Sequence, residues 1–209
     1  MAGKYSKDEL KKMLCRSAFH ITKEQGIESI TVRKLTKGCG LSDPYLYQCY
    51  SDVQELLRDA FMKIDLEVVD ITKEVIMKSL DEAQGRPLDK ESIEKLSKVL
   101  WKNYWDYLME DADRCVFYWR FYQSGYYNKD LLKERQQHYE LFIKMIDTVS
   151  KNGDLDSKVN AYDLVSGIID GTVSIAVKIH LGYMEEGATA HIIFDYMLGL
   201  FYQLIGIKE

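Results

Sequence analysis

Proline occurs at only two of 209 positions, Pro44 and Pro87, and this scarcity constrains the fold more than any other feature of the chain. Proline removes an amide donor and fixes φ, so a chain almost free of it can run long helices without interruption. The apolar pattern follows that freedom. Leu10, Met13, Leu14, Ser17, Ala18 and Ile21 recur at three- and four-residue steps, which makes one face of a helix. Ser6 with Glu9 fits a capping box at its start, and Gly26 fits its stop. Thr31 is placed to cap a short helix from Val32 to Gly38, which Gly40 then breaks. Ser42 is placed to cap a second short helix that tolerates Pro44 in its first turn, where amides lack intrahelical partners. Ser51 with Gln54 predicts the cap of a long helix through Leu56, Leu57, Phe61, Ile64 and Val68 towards Ile76. Past a loop at Gly85, Arg86 and Pro87, helices are predicted over 89–109, 112–123, 129–151, 159–181 and 188–204. Asn128 and Gly153 are the cap and stop of the third. No alternating strand pattern, repeat or low-complexity tract competes, and the fold reads as all-α.

Composition excludes several classes. An apolar share of 46% with 29% charged residues is that of a globular chain. No stretch approaches the ~18 apolar residues of a membrane span. The Lys-bearing N-terminus lacks the apolar run of a secretory signal. Cys15, Cys39, Cys49 and Cys115 form no C-x-x-C pair and sit in helical patterns, which predicts reduced, packed thiols and a cytoplasmic setting. No G-x-S-x-G, H-E-x-x-H or phosphate-cradling glycine loop is present, and His20, His138, His180 and His191 lack metal-ligand spacing. The expectation is a non-enzyme with no catalytic residue, metal or cofactor.

Twenty-eight Lys+Arg against thirty-three Asp+Glu give a net charge of −5, which speaks against a chain that coats nucleic acid along its length. The charge is uneven, however. Residues 1–60 hold ten basic and eight acidic side chains, net +2, and the remaining eighteen and twenty-five give −7. A mildly basic head on an acidic body is the direction expected if only the head meets phosphate. Two short helices joined by a glycine turn and preceded by a packing helix also describe a helix-turn-helix unit. Its first element is 31–35, its turn 38–41 and its reader 42–48, with Leu35, Leu41 and Leu46 as the small core fixing their crossing.

The run from Gln25 through Thr31-Val-Arg-Lys-Leu35 and Leu41-Ser-Asp-Pro-Tyr-Leu-Tyr-Gln-Cys-Tyr50 to Glu55-Leu-Leu57 resembles the N-terminal domain of TetR-type transcriptional regulators. The resemblance covers roughly the first third of the chain. It implies a DNA-binding domain over 1–51 and a helical effector-binding and dimerisation domain over 52–209, with 52–80 as the connecting long helix. It further implies a homodimer on a pseudo-palindromic operator, released by a small molecule that moves this connecting helix. Thr31 and Tyr47 would contact phosphates, and Ser42, Tyr45 and Gln48 would face the groove, with Gln48 placed for a bidentate adenine contact, while Asp43 at the head of the reader would repel phosphate but could accept from a cytosine amino group. Arg33, Lys34 and Lys37 would add phosphate contacts. Three positions depart from the family's pattern: Asp43 and Val53 stand where lysine is common, and Pro44 where glycine is. They point to a weak or unusual grip on DNA. The alternative reading is a helical small-molecule-binding protein whose DNA binding is weakened or lost.

In the body, Trp101, Tyr104, Trp105, Tyr118, Trp119 and Tyr122 belong to a dense aromatic segment with Asp106 and Glu110 one turn apart. The segment reads as an aromatic core or as the lining of an effector pocket. A pocket combining rings and carboxylates would suit an aromatic or cationic ligand. Leu164, Ile168, Gly171 and Ile175 form one stripe, and Ile193, Met197, Leu200 and Phe201 lie on a final helix that is apolar over a wide arc. Such a helix is buried twice, which predicts a dimer face built from both helices.

Overall fold

A computed structural model describes residues 5–84, 90–140, 143–144 and 160–204, with the side chains of 83, 90, 161, 189, 201, 203 and 204 excepted. Among these residues the chain is helical, with no strand. The helices are α1 (Lys7–Gln25), α2 (Val32–Gly38), α3 (Pro44–Tyr47), α4 (Val53–Ala83), α5 (Lys90–Glu110), α6 (Ala112–Tyr122), α7 (Lys129–His138), α8 (Ala161–His180) and α9 (Ala188–Leu204). The predicted loop at Gly85, Arg86 and Pro87, the run of the seventh helix to 151 and its stop at Gly153 lie outside the described residues.

Local chemistry sets the helix ends. The Ser6 side chain accepts from the Glu9 amide, and the Glu9 carboxylate accepts from the Ser6 amide at 2.7 Å, closing the predicted capping box of α1. Gly26 ends the helix at φ +89°, a conformation open to glycine. The start of α4 differs from the prediction by one residue. Asp52 Oδ1 accepts from the Glu55 amide at 2.8 Å, while the amide and hydroxyl of Ser51 donate to Glu55 Oε2 at 2.6 and 2.7 Å. Ser51–Gln54 and Asp52–Glu55 overlap in the sequence, and the pair of carboxylates prevails because charged acceptors bind the orphan amides more strongly. Asn128 caps α7 as predicted, and Asp111 and Asn160 cap α6 and α8.

Packing divides the chain into two compact units. One holds the chain to Asp65 together with Asp111–Leu132; the other holds Leu66–Glu110 and the chain from Lys133. The helix α4 runs through both, and α6 joins the unit of the helix-turn-helix rather than the remainder of the predicted 52–209 body. The reason lies on the faces of α6. Phe117 meets Phe19 of α1 at 4.7 Å, while Tyr118 and Phe121 stack on Phe61 of α4 at 4.9 and 4.6 Å. Phe61, Phe117 and Phe121 are fully buried, so the core of this unit is aromatic. At the polar edge, Asp113 takes Lys23 at 2.9 Å and His20 at 3.0 Å, and Arg120 donates to the Thr22 carbonyl at the end of α1. Tyr118 donates to the buried Asp65 at 2.8 Å.

In the second unit, Val68, Thr72 and Ile76 of α4, Ile93, Leu96, Tyr104 and Leu108 of α5, and Val165, Ile169, Val173 and Ala176 of α8 are buried. His180 Nε2 lies 2.9 Å from the Leu108 carbonyl, tying the end of α8 to α5. None of the described helices is long and apolar enough to cross a membrane.

Candidate nucleic-acid interface

The candidate interface is built on α2, the turn after it and α3. Thr31 caps α2, its Oγ1 accepting from the Lys34 amide at 3.3 Å. Leu35 on α2 and Leu46 on α3 are wholly buried, and Leu41 between them is half-buried, so of the three predicted core leucines two are fully enclosed. Replacing either buried leucine by alanine would cost about 2–5 kcal/mol. The turn closes on Thr36, whose carbonyl accepts from the Leu41 amide at 2.8 Å while Gly40 takes φ +68°. The approach of α2 to α1 is close at Gly38, where an added Cβ would lie 2.3 Å from Ser17 Oγ.

Burial of Leu46 turns the rest of α3 outwards. Tyr47 is 60% exposed, and Ser42 and Gln48 are exposed beside it. Tyr45 is half-buried, with its ring against Tyr5 at 6.3 Å, edge to face. Arg33, Lys34 and Lys37 are exposed on α2, and Lys34 Nζ holds Gln25 Oε1 at 2.8 Å. Ser42 makes no side-chain cap for α3. The N-cap position belongs to Asp43, whose backbone is already helical (φ −52°, ψ −37°) and whose side chain does not cap the helix either. Its carboxylate turns back instead and accepts from Thr36 Oγ1 at 2.6 Å. One oxygen of Asp43, the side chain offered to a cytosine amino group, is therefore engaged inside the motif.

The exit from α3 is fixed by Tyr50, which is buried. Its hydroxyl donates to Asp59 at 2.8 Å, and Asp59 also takes Lys11 at 3.1 Å, whose ammonium stands 4.9 Å from the Tyr50 ring centre. Burial pushes the Tyr50 phenol well above its usual range, and the neighbouring Cys15 and the bond to Asp59 add to the shift. Sequence reasoning missed Tyr5, Gln25 and Thr36 as partners of the reading surface. Only the spacing of a Thr one turn into α2 from a carboxylate at the head of the reader could have signalled the last of them.

The six rings expected to share one pocket fall in both units. Trp101, Tyr104 and Trp105 lie on α5 in the second, whereas Tyr118, Trp119 and Tyr122 lie on α6 in the first. Tyr118 is engaged by Phe61 and Asp65. Trp101 and Trp105 stack at 5.4 Å along a groove of about 450 Å³ lined also by Lys98, Lys102, Asp106, His191, Phe194 and Asp195. Trp101 is sandwiched further by Phe194 at 4.1 Å, and Asp106 is paired with Lys102. Among the expected interface residues, Ile175 is buried within its own chain, and Leu164, Ile168, Gly171, Ile193 and Met197 are half-buried. Met197 packs over Gly171. Leu200 is exposed, and the outward apolar stripe of α9 is Ile192, Tyr196 and Leu200, at 52, 77 and 58% exposure. The Phe201 side chain lies outside the described residues.

No family model matches the sequence, and no curated protein does. Solved structures match more than nine-tenths of the chain. A TetR-family transcription regulator from Marinobacter aquaeolei VT8 is 16% identical over 91% of this chain and 94% of its own, with a TM-score of 0.71. One from Haemophilus influenzae is 13% identical over 91% and 95%, at 0.64. The repressor FadR of Thermus thermophilus, solved with lauroyl-CoA, is 14% identical over 95% and 96%, at 0.59. An all-α chain with a helix-turn-helix near its start, a long α4 and two terminal apolar helices thus has the TetR-type regulator fold.

Proposed function

We propose that the protein is a ligand-responsive DNA-binding transcription regulator of the cytoplasm, working as a homodimer on a pseudo-palindromic operator and released from it by a small molecule. The observation that carries this reading is the outward surface of the helix-turn-helix. Leu35 and Leu46 are fully buried, and Ser42, Tyr47 and Gln48 face solvent beside exposed Arg33, Lys34 and Lys37. Buried crossing residues with an exposed tyrosine on a four-residue helix and an exposed amide at its C-cap are what a reader of base edges needs. Thr31 and Tyr47 contact phosphate in this reading, and Gln48 contacts adenine.

The dimer uses α8 and α9. A stripe of Ile192, Tyr196 and Leu200 at four-residue steps is apolar surface of the kind that a partner copy covers. The effector is aromatic or cationic and is held in the second unit, where Trp101 and Trp105 line the α5–α9 groove with Asp106. The lauroyl-CoA complex of the Thermus repressor supports small-molecule binding by a body of this fold.

Selection of bound duplexes from a random DNA library by the purified full-length protein tests the proposal. The expected result is an inverted repeat of two half-sites, bound less tightly as salt rises, with a shallow slope because few cations face the phosphates. Gln48→Ala is expected to relax preference at one base pair, and Tyr47→Phe to weaken all sequences alike. Failure to enrich any duplex would favour the ligand-binding protein without DNA. Titration with aromatic cations, followed by Trp fluorescence, would then still read the groove; no saturable change across a broad panel rules against it.

A further inference from the structure

We infer that Asp43 is a positioning residue of the reading helix, acting through Thr36, and that base reading falls to Ser42, Tyr45 and Gln48. This rests on the DNA-binding reading above. Thr36 is 1% exposed on α2, and its hydroxyl carries a single proton. Three acceptors lie within reach: the Val32 carbonyl at 3.0 Å, the Arg33 carbonyl at 3.4 Å and Asp43 Oδ1 at 2.6 Å. A threonine inside a helix ordinarily bonds back to the carbonyl one turn earlier. The carboxylate is the stronger acceptor, and the shortest of the three distances is the one expected of a charge-assisted bond.

The bond crosses the turn that sets the angle of the motif. Thr36 receives the Leu41 amide on its carbonyl and gives its hydroxyl to Asp43, so one residue of α2 holds both the end of the turn and the head of α3. Asp43 spends nothing on capping its own helix. A negative charge at the head of the reader repels phosphate, yet the same side chain fixes the orientation of the exposed residues beside it. Charge and geometry therefore predict opposite effects for its removal, and two substitutions separate them. Asparagine keeps an oxygen for Thr36 and drops the charge, whereas alanine drops both.

The test measures affinity of the full-length protein for its selected duplex at fixed salt. Asp43→Asn is expected to bind at least as tightly as the wild type. Asp43→Ala and Thr36→Val should each bind about tenfold more weakly, and the double variant should be no weaker than either. Thr36→Ser, which keeps the hydroxyl, should retain wild-type affinity. Preference at every base pair should survive Asp43→Ala. Equal tightening by Asn and Ala would overturn the inference in favour of charge alone, and a lost preference at one base pair would make Asp43 a reader. Thermal midpoints of the same set give a second reading without DNA. Strictly additive shifts of Thr36→Val and Asp43→Ala would overturn the bond itself. A wild-type protein that enriches no duplex sinks the DNA-binding reading, and the positioning role with it, while the thermal cycle still decides the bond.

Discussion

Alanine at Gly38 should destabilise the protein, and alanine at Ser17 should reverse the sign of that effect. Gly38 is the last residue of α2, and its backbone needs no positive φ, so only space bars a side chain. An ideal Cβ there falls 2.3 Å from Ser17 Oγ and 3.5 Å from Ser17 Cβ. Only the hydroxyl collides, and it can leave by rotation about χ1. Rotation breaks its 2.9 Å bond to the Leu35 carbonyl, and the hydroxyl is buried. A lost neutral bond costs about 1 kcal/mol, and a buried hydroxyl without a partner about 1–3 kcal/mol. Against this, Ala exceeds Gly in helix propensity by ~1 kcal/mol at an interior position and by less at an end. The net expectation for Gly38→Ala is a loss of about 1–2 kcal/mol. With Ser17→Ala already in place the collision is gone, and Gly38→Ala should become neutral or mildly stabilising. Guanidinium denaturation of the four proteins, followed by far-ultraviolet circular dichroism, gives the coupling directly. Equal effects of Gly38→Ala in both backgrounds would refute the steric argument. Gly171 is the contrast: its Cβ would meet Met197 Sδ at 2.7 Å, an atom near the end of a flexible side chain, so Gly171→Ala should cost under about 1 kcal/mol.

Arg120→Met removes the guanidinium from the Thr22 carbonyl at the end of α1 and should lower stability by about 1–3 kcal/mol, with Arg120→Lys recovering only part. An unchanged denaturation midpoint would show that the contact contributes nothing. Acid should loosen the starts of α1 and α4. The Ser6 amide and hydroxyl hold the Glu9 carboxyl below its usual range, and those of Ser51 do the same for Glu55. A folded-state value below the unfolded one gives stability that is present above about pH 4 and lost as pH falls through the folded value. Burial pushes Asp113 upwards, but Lys23 and His20 outweigh it, so its ion pairs follow the same course. Hydrogen exchange at pH 3 and pH 6 reads these segments, and Glu55→Gln should abolish the difference at α4. Burial raises all four thiols, Cys15 to about 11 and Cys115 to about 12, but Cys39 is half-buried where Cys15, Cys49 and Cys115 are buried, so thiol labelling of the native protein should reach Cys39 first. Earlier labelling of Cys115 in mapped peptides would contradict that order.

The sequence was most legible where a residue acts on its own neighbours. Ser6, Gly26, Thr31 and Asn128 sit where their side chain or backbone conformation meets an orphan group three or four residues away, and that relation is visible in one dimension. The cap at Asp52 lies one position past the Ser51 that the pattern offers, because two boxes overlap, and choosing between them requires weighing a carboxylate against an amide. The bond between Thr36 and Asp43 spans seven residues and a turn, so it becomes visible only once the turn has a shape.

The aromatic segment teaches the larger lesson. The rings from Trp101 to Tyr122 read as one cluster because they lie close in sequence, and periodicity shows that each helix buries a face. It does not show what covers that face. The chain passes from one unit to the other between Glu110 and Asp111, where Asp111 leaves the helical conformation (φ −138°, ψ 101°) and caps α6. On one side of that residue Trp101, stacked on Trp105, packs on Phe194, 93 positions beyond Trp101 in the sequence. On the other, Phe117 and Phe121 pack with Phe19 and Phe61 near the start of the chain. Rings a few residues apart thus have partners drawn from opposite ends of the chain, and an effector held by α5 and an operator held by the head would each depend on a different half of the same aromatic run.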